Sequence, residues 1–130
     1  MSSDSSEPRL SGLFIPPTIF DNVKQEDTIA REEIFGPVTV LLPVDSDEEA
    51  LTLANDSVYG LQATLFTNDV SKAHSYANAL QAGTVSVNHF SEGDNTTPFG
   101  GYKLSGFGGK DNGRESHEQY LQTKTIFLHF

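Results

Sequence analysis

The chain has 130 residues, of which 18 are acidic and 8 basic, and it contains no cysteine. This length fits one domain with a modest core. The net charge of −10 and the lack of a lysine or arginine cluster argue against a nucleic-acid partner, because phosphate binding needs a basic surface. The lack of cysteine excludes disulfides, thiolate metal sites and a cysteine nucleophile within these residues.

The first residues, MSSDSSEP, do not have the pattern of a signal peptide, and no apolar run approaches membrane-spanning length. We therefore expect a cytoplasmic protein without a membrane partner. Residues 1–11 are polar and serine-rich, and they are predicted to form a disordered tail because they offer little apolar surface to bury.

Strands and helices are predicted to alternate along the rest of the chain. Apolar β-branched runs indicate strands, while caps and apolar spacing indicate helices. In chain order the predicted elements are an extended segment at 12–20, a helical turn at 28–32, strands at 38–44, 61–67 and 84–88 with a helix in each interval, a helix at 114–121 and a closing strand at 123–130. This order is typical of crossover units and predicts an α/β fold with a mainly parallel sheet.

The helix boundaries are indicated by capping residues. Ser46 and Glu49 form a capping box before a helix of about ten residues. Either Asn68 or Asp69 caps the next helix, and Gly83 fits its stop position. The apolar face of that helix is predicted to consist of Val70, Ala73, Ala77 and Leu80.

The chain is organised around a stretch at 98–109, PFGGYKLSGFGG, in which five residues are glycine. Glycine allows close approach of backbones, and the rings of Phe99, Tyr102 and Phe107 supply rigid apolar walls. The stretch therefore indicates a shaped cavity or a tight crossing, and a glycine-rich turn with buried rings is the alternative.

Common self-contained catalytic motifs are missing from the sequence. A dinucleotide fingerprint or a P-loop around residues 106–111 fails because position 111 is Asp. His117-Glu118 is not followed by the second histidine of a zinc-protease helix, and the histidines show no ligand spacing. We therefore predict no catalytic residue and no metal site within this chain.

Several runs resemble the C-terminal part of the aldehyde dehydrogenase superfamily, in the order that family shows. They are EEIFGP at 32–37, Val-Asn at 87–88 and PFGGYK-x-SG at 98–106, with supporting pieces at 14–20, 59–61 and 123–126. The resemblance covers nearly everything from Gly12 onward. The loop sequences at 90–94 and 106–112 most resemble bacterial members acting on γ-glutamyl-γ-aminobutyraldehyde and other ω-amino aldehydes.

The resemblance implies a fold and a domain arrangement. Residues 12–121 would be a partial aldehyde dehydrogenase catalytic domain with a mainly parallel sheet and crossover helices, and 122–130 a C-terminal oligomerisation strand. Family members are several-fold longer, oxidise an aldehyde with NAD or NADP, and use a cysteine nucleophile and a glutamate base. None of these parts lies in this chain, so it is expected to be inactive alone and to bind the coenzyme weakly or not at all.

The resemblance also implies four site residues. Glu33 matches the glutamate that hydrogen-bonds the nicotinamide ribose, and Phe35 matches an aromatic near the nicotinamide ring. Phe90 and Phe99 match aromatics of the aldehyde tunnel. The alternatives are a solvated helix-end charge for Glu33 and core packing for the three phenylalanines. His89 stands where close relatives usually have cysteine, beside the substrate tunnel, which puts the substrate preference in doubt; the alternative is a neutral change in a sequence freed from catalytic constraint.

Two functions remain open at this stage. The chain is either a C-terminal fragment of an NAD(P)-dependent aldehyde dehydrogenase or a non-catalytic oligomerisation or interaction module derived from that family. The apolar end of the chain would be aggregation-prone as a bare edge. It is therefore expected to self-associate or to pair with a full-length subunit through 123–130, although pairing within its own domain is the alternative.

Overall fold

A computed structural model describes residues 12–90 and 93–130. The predicted tail at 1–11 lies outside the described residues. The chain divides into two compact units, the first ending at Val44 and the second beginning at Asp45. Each unit contains one two-stranded parallel sheet, so the parallel pairing is confirmed, but as two small sheets and not as one.

The first unit pairs β1 (Thr18–Phe20) with β2 (Val38–Val40), and α1 (Thr28–Arg31) lies between them in the chain. The predicted strand at 38–44 is shorter than expected. The N–H of Leu41 still donates to the carbonyl of Phe20 over 2.8 Å. Because β1 ends at Phe20, the pairing of the two strands ends at Phe20 and Val40.

The second unit contains α2 (Asp47–Asn55), β3 (Gln62–Leu65), α3 (Val70–Ala79) and β4 (Thr84–Val87). A 3₁₀ turn (Lys103–Ser105) and a short helix α4 (Glu115–Glu118) follow. β3 and β4 are parallel, with Gln62 opposite Thr84 and Leu65 opposite Val87. The predicted crossover through a helix is therefore confirmed in this unit.

The predicted helix starts are confirmed in their essentials. The Ser46 hydroxyl accepts from the N–H of Glu49 over 3.1 Å. The Glu49 carboxylate accepts from the N–H of Asp45, one residue earlier than a standard capping box requires. Of the two candidate caps for α3, Asp69 is the one used, and its carboxylate accepts from the N–H of Lys72.

The predicted stop of α3 at Gly83 is wrong. The helix ends at Ala79, with Leu80 in an extended conformation as its C-cap. Gly83 instead lies where the backbone of Gly100 passes too close to leave space for a side chain. Val70, at the first helical position, is 71% exposed, so it does not belong to the half-buried face of Ala73, Ala77 and Leu80.

The predicted closing strand is not confirmed. Residues 121–130 follow α4 as exposed chain that is neither helix nor strand. A segment forms a strand only where a neighbouring strand provides hydrogen-bond partners. Within the described residues, no strand pairs with 121–130.

Large apolar side chains are exposed throughout the described residues, and no hydrophobic residue among them is fully buried. Phe127 is 93% exposed and Phe107 is fully exposed. The modest core expected from chain length is therefore absent from these residues, and extensive apolar surface is exposed. Among the described helices, none is long and apolar enough to cross a membrane.

Candidate functional site

The glycine-rich loop (residues 98–109) is docked on Gly60, which is buried. The Gly60 carbonyl accepts from the N–H groups of Tyr102 (2.8 Å) and Gly83 (3.0 Å). The Gly60 N–H donates to the Ser105 hydroxyl over 3.1 Å. One residue thus joins the loop to the start of β4 through three hydrogen bonds.

The loop crosses the chain at Gly83 with no space for a side chain. A Cβ added at Gly83 would lie 1.6 Å from the Gly100 carbonyl oxygen, and one added at Gly101 would lie 2.4 Å from Ser105 Cβ. Gly101 is itself buried. The tight crossing predicted from the glycine content is therefore present, and its partner is a glycine outside the loop.

Asn55, at the last position of α2, connects three segments. Its side-chain amide donates to the Ala79 carbonyl over 3.0 Å, and its side-chain oxygen accepts from the N–H of Gln81 over 2.8 Å. Its backbone carbonyl accepts from Lys103 Nζ over 2.7 Å. These bonds hold the end of α3 and the loop against α2.

Replacing the Asn55 side chain should therefore loosen the end of α3 from α2. Asn55→Ala removes two side-chain hydrogen bonds at a half-buried position, and we expect a loss of about 2 kcal/mol in the free energy of unfolding. Asn78→Ala is the control, because the exposed Asn78 bonds only to His74 within α3, and it should change stability little. Urea unfolding followed by circular dichroism measures both, and equal midpoints would contradict the role of Asn55.

Phe99 lines a cavity of about 320 Å³ formed by the loop and its surroundings. Phe99 and Asp111 exchange two backbone hydrogen bonds of 2.6 and 2.7 Å, which fix the base of the loop. Lys110 Nζ donates to the Gly100 carbonyl and lies 5.8 Å from the centre of the Tyr102 ring. The cavity is lined by Leu61, Phe99, Gly100, Gly101, Ser105, Gly106, Phe107, Gly109, Asp111 and Gln119. Phe99 is half-buried in this wall.

The carboxyl ends of β3 and β4 are joined by Asn88. Its backbone φ is +55°, a left-handed conformation that asparagine tolerates better than most residues. Its side chain bonds both the N–H and the carbonyl of Thr67, each over 2.8 Å. From the sequence, Asn88 was identified only as part of a motif. The signal for its structural role was its position directly after a predicted strand.

Phe90 follows this junction and is 69% exposed. It is therefore not buried within this unit. It does not line the cavity that contains Phe99. Its position beyond the carboxyl end of β4 is the part of a parallel sheet where ligands bind in α/β proteins.

Asp94 fixes a turn that precedes the loop. Its carboxylate accepts from the hydroxyl of Thr96 over 2.6 Å and from the N–H of Thr96 over 2.7 Å. The Thr96 side-chain bond, followed by its backbone bond, lowers the pKa of Asp94 below its ordinary value of 3.8. A lowered pKa means that the ionised carboxylate is the form that stabilises this turn.

The turn should consequently depend on acid pH. The stabilisation is fully present above pH 3.8 and is lost as the pH falls through the lower pKa of the folded state. Carbon-detected NMR titration of the Asp94 carboxyl should give a pKa below 3.8, and Thr96→Val should raise it towards that value. A pKa of Asp94 at or above the ordinary value would contradict this assignment.

Glu33 and Phe35 lie in the first unit, in the exposed segment between α1 and β2. The N–H of Gly36 donates to the Ile34 carbonyl over 2.7 Å, which tightens the segment and leaves both side chains outside. Phe35 is 94% exposed. Glu33 is an exposed carboxylate one residue beyond the C-cap of α1, a position that fits both a ligand for hydroxyl groups and a solvated charge.

No group of three or more histidine, cysteine, aspartate or glutamate side chains within residues 12–90 and 93–130 could hold a metal ion. The described chain presents an exposed carboxylate at Glu33, exposed rings at Phe35 and Phe90, and a closely packed glycine-rich wall.

Comparison with known proteins gives a consistent result. Residues 2–126 match the profile of the aldehyde dehydrogenase family. The chain is 47% identical over 118 residues to aminoacetaldehyde dehydrogenase of Pseudomonas aeruginosa, covering 91% of this chain and 24% of that protein. It is 49% identical over 114 residues to the NADP/NAD-dependent aldehyde dehydrogenase PuuC of Escherichia coli, covering 88% of this chain and 23% of that protein.

The fold agrees with the sequence. A structure of Mycobacterium tuberculosis aldehyde dehydrogenase complexed with NAD+ superposes with a TM-score of 0.85 at 45% identity, over 91% of this chain and 24% of that one. The chain thus spans about a quarter of the length of the relatives it matches. On sequence and fold together, the chain belongs to the aldehyde dehydrogenase family.

Proposed function

We propose that this chain supplies the C-terminal part of the catalytic domain of an NAD(P)-dependent aldehyde dehydrogenase that oxidises an ω-amino aldehyde to the acid. The observation that carries the proposal is the 47% identity, over 91% of the chain, to a protein named for aminoacetaldehyde. The relative PuuC, named for the use of NADP and NAD, supports either coenzyme.

Glu33 and Phe35 are the proposed coenzyme contacts. A carboxylate can accept hydrogen bonds from two hydroxyl groups at once, and Glu33 is exposed and available for the nicotinamide ribose. Phe35 presents an almost fully exposed ring that can pack against the nicotinamide. Bound NAD(P) supplies the acceptor for the hydride that leaves the substrate.

Phe90 and Phe99 are the proposed walls of the aldehyde tunnel. Their rings exclude water and hold an aliphatic substrate without a polar contact. The rigid docking of the loop on Gly60 keeps Phe99 in place. The thiolate needed to attack the aldehyde must come from outside, because these 130 residues contain no cysteine.

A second candidate function is a non-catalytic interaction module. It is favoured by the exposed apolar side chains at the end of the chain: Ile126, Phe127, Leu128 and Phe130. Residues 123–130 would then mediate self-association or pairing with a full-length subunit. Co-purification with an intact relative, lost when Phe127 is replaced by Asp, would favour this candidate.

A chimera tests the catalytic proposal. In it, the matching segment of the Pseudomonas aeruginosa aminoacetaldehyde dehydrogenase is replaced by this chain. With NAD+ and aminoacetaldehyde, we expect NADH formation from the chimera and none from this chain alone. NADH formation by the chain alone would contradict the proposal, as would a folded chimera that forms none.

A further inference from the structure

The sequence contains a single Asn-Gly pair, Asn112-Gly113, just after the base of the glycine-rich loop. Their φ values are +60° and +63°, and positive φ at two successive positions is the pattern of a type I′ turn, in which Asn-Gly is the favoured pair. A Cβ added at Gly113 would lie 2.9 Å from a carboxylate oxygen of Glu115 and 3.2 Å from the carbonyl oxygen of Thr96. The backbone of this turn therefore requires glycine at position 113.

The same pair is chemically labile. An asparagine loses its side-chain amide when the backbone nitrogen of the next residue attacks the side-chain carbonyl carbon, and glycine covers that nitrogen least because it has no side chain. A bond forms between the Gly113 nitrogen and Asn112 Cγ, and the amide nitrogen of Asn112 leaves as ammonia with the proton of the Gly113 N–H. Water then opens the cyclic imide at either carbonyl, which gives aspartate or isoaspartate without any oxidation or reduction.

The structure restrains the attacking nitrogen and not the side chain that it attacks. The Asn112 side chain is exposed. The N–H of Gly113, in contrast, donates to the Asn95 carbonyl over 3.0 Å. Because the nitrogen must give up this hydrogen bond before it can attack, the contact with Asn95 slows the reaction in the folded chain.

The Asn95 carbonyl is held in place by the turn that Asp94 stabilises. The Asp94 carboxylate accepts from the hydroxyl and the N–H of Thr96, so the residues on both sides of Asn95 are bonded to each other. Removing this carboxylate should let the Asn95 carbonyl move and release the N–H of Gly113.

We propose that Asn112 is a site of spontaneous deamidation, which converts it to aspartate and isoaspartate, and that the hydrogen bond from Gly113 to Asn95 controls the rate. Isoaspartate adds a methylene group to the main chain directly after Asp111. The backbone of Asp111 exchanges two hydrogen bonds with Phe99. The modification therefore weakens the base of the loop and alters the cavity that Phe99 lines.

Mass spectrometry of the full chain, incubated at neutral pH and sampled over time, tests the site. Asn22 is the internal control, because it is exposed, has a φ of +55° and precedes an N–H, that of Val23, which donates to the Leu41 carbonyl. The two asparagines thus differ mainly in the residue that follows. We expect deamidation to be about tenfold slower at Asn22, because the branched valine side chain covers the attacking nitrogen. Equal rates at Asn112 and Asn22 would overturn the site.

Asp94→Ala tests the control of the rate. We expect it to accelerate deamidation of Asn112 about fivefold, the rate factor that corresponds to one lost hydrogen bond. Asp27→Ala is the matched control, because it removes the same charge and an exposed carboxylate that accepts from the N–H of Lys24 over 2.9 Å. It should leave the rate at Asn112 unchanged, and equal rates in the two variants would overturn the role of the turn.

Two further measurements keep this test decisive if Asp94→Ala does not fold, which circular dichroism reveals. Thr96→Val removes only the hydroxyl bond to Asp94 and should accelerate deamidation about twofold. Urea frees the N–H of Gly113 in the unaltered chain, and we expect the rate at Asn112 to rise about fivefold or more. A rate in urea no higher than the native rate would contradict the protection by Asn95.

Amide hydrogen exchange tests the effect on the loop. After incubation, the N–H groups of Phe99 and Asp111 should exchange about fivefold faster in the modified fraction than in fresh chain. Asn112→Gly keeps a residue suited to positive φ but has no amide to lose, so its exchange should not change with incubation. Unchanged exchange in the modified fraction would overturn the effect on the loop. None of these measurements uses aldehyde oxidation, so their failure and that of the proposed function are distinguishable.

Discussion

Replacing Glu33 by glutamine in the chimera should raise the KM for NAD+ by about 5- to 30-fold, because a hydrogen bond to a charged acceptor is worth about 1 to 2 kcal/mol more than one to a neutral acceptor. Glutamine keeps the shape of the side chain and one acceptor oxygen, but it loses the charge and the second acceptor. Initial rates of NADH formation at varied NAD+ concentrations measure the effect.

The neighbouring Glu32 provides the matched control. It is also exposed, and Glu32→Gln changes the charge of the chain by the same amount. Its backbone caps α1 through a bond to the Thr28 carbonyl, which the substitution leaves intact. We expect Glu32→Gln to leave the KM for NAD+ unchanged. Equal effects of the two substitutions would mean that net charge, and not a contact made by Glu33, affects coenzyme binding.

Gly83→Ala should destabilise the chain by about 3 kcal/mol or more, because it places a methyl group where another backbone already lies. The added Cβ would lie 1.6 Å from the Gly100 carbonyl oxygen and 2.7 Å from its carbon. The loop cannot move aside without breaking the bonds that join Gly60 to Tyr102 and Gly83. The midpoint of thermal unfolding should fall by on the order of 10 °C.

Gly36→Ala is the control for this substitution. Its Cβ would meet only Ile34 Cγ2, at 3.9 Å, which is an ordinary contact. We expect its unfolding midpoint to remain within about 2 °C of the parent chain. A Gly83→Ala chain that unfolds at the parent temperature would show that the crossing of the loop over β4 is not rigid.

The elements that sequence predicted correctly depend on short-range signals. Ser46 and Glu49 lie three residues apart and bond to the backbone of their own helix end, and Asp69 does the same for α3. The alternation of Val85 and Val87 with polar neighbours predicted β4. Each signal lies within a few residues of the structure it forms, so it can be read without knowledge of the tertiary fold.

The features that sequence did not predict depend on distant partners. Gly83 was taken for a helix stop, but it is needed because Gly100 passes over it. Asn55 connects to positions 24, 26 and 48 residues away, and no spacing rule indicates this. The closing strand at 123–130 is not confirmed, because an apolar run becomes a strand only where a neighbour supplies the ladder, and no described strand of this chain does so.

The candidate site was predictable only in part. The glycine content at 98–109 correctly indicated a tight crossing and a cavity, since both follow from the absence of side chains. The roles of Glu33, Phe35, Phe90 and Phe99 came from resemblance alone and stay predictions. Phe35 and Phe90 are exposed and therefore accessible to a ligand or a partner. Their exposure does not identify that ligand or partner.

The most direct test of the central claim is the distance between the Glu33 carboxylate and the nicotinamide ribose in a crystal structure of the chimera with NAD+ bound. We predict hydrogen bonds of about 2.6 to 3.0 Å from the ribose hydroxyls to the carboxylate, with Phe90 and Phe99 lining the substrate tunnel. A bound NAD+ whose ribose lies away from Glu33, with both phenylalanines outside the tunnel, would contradict the account.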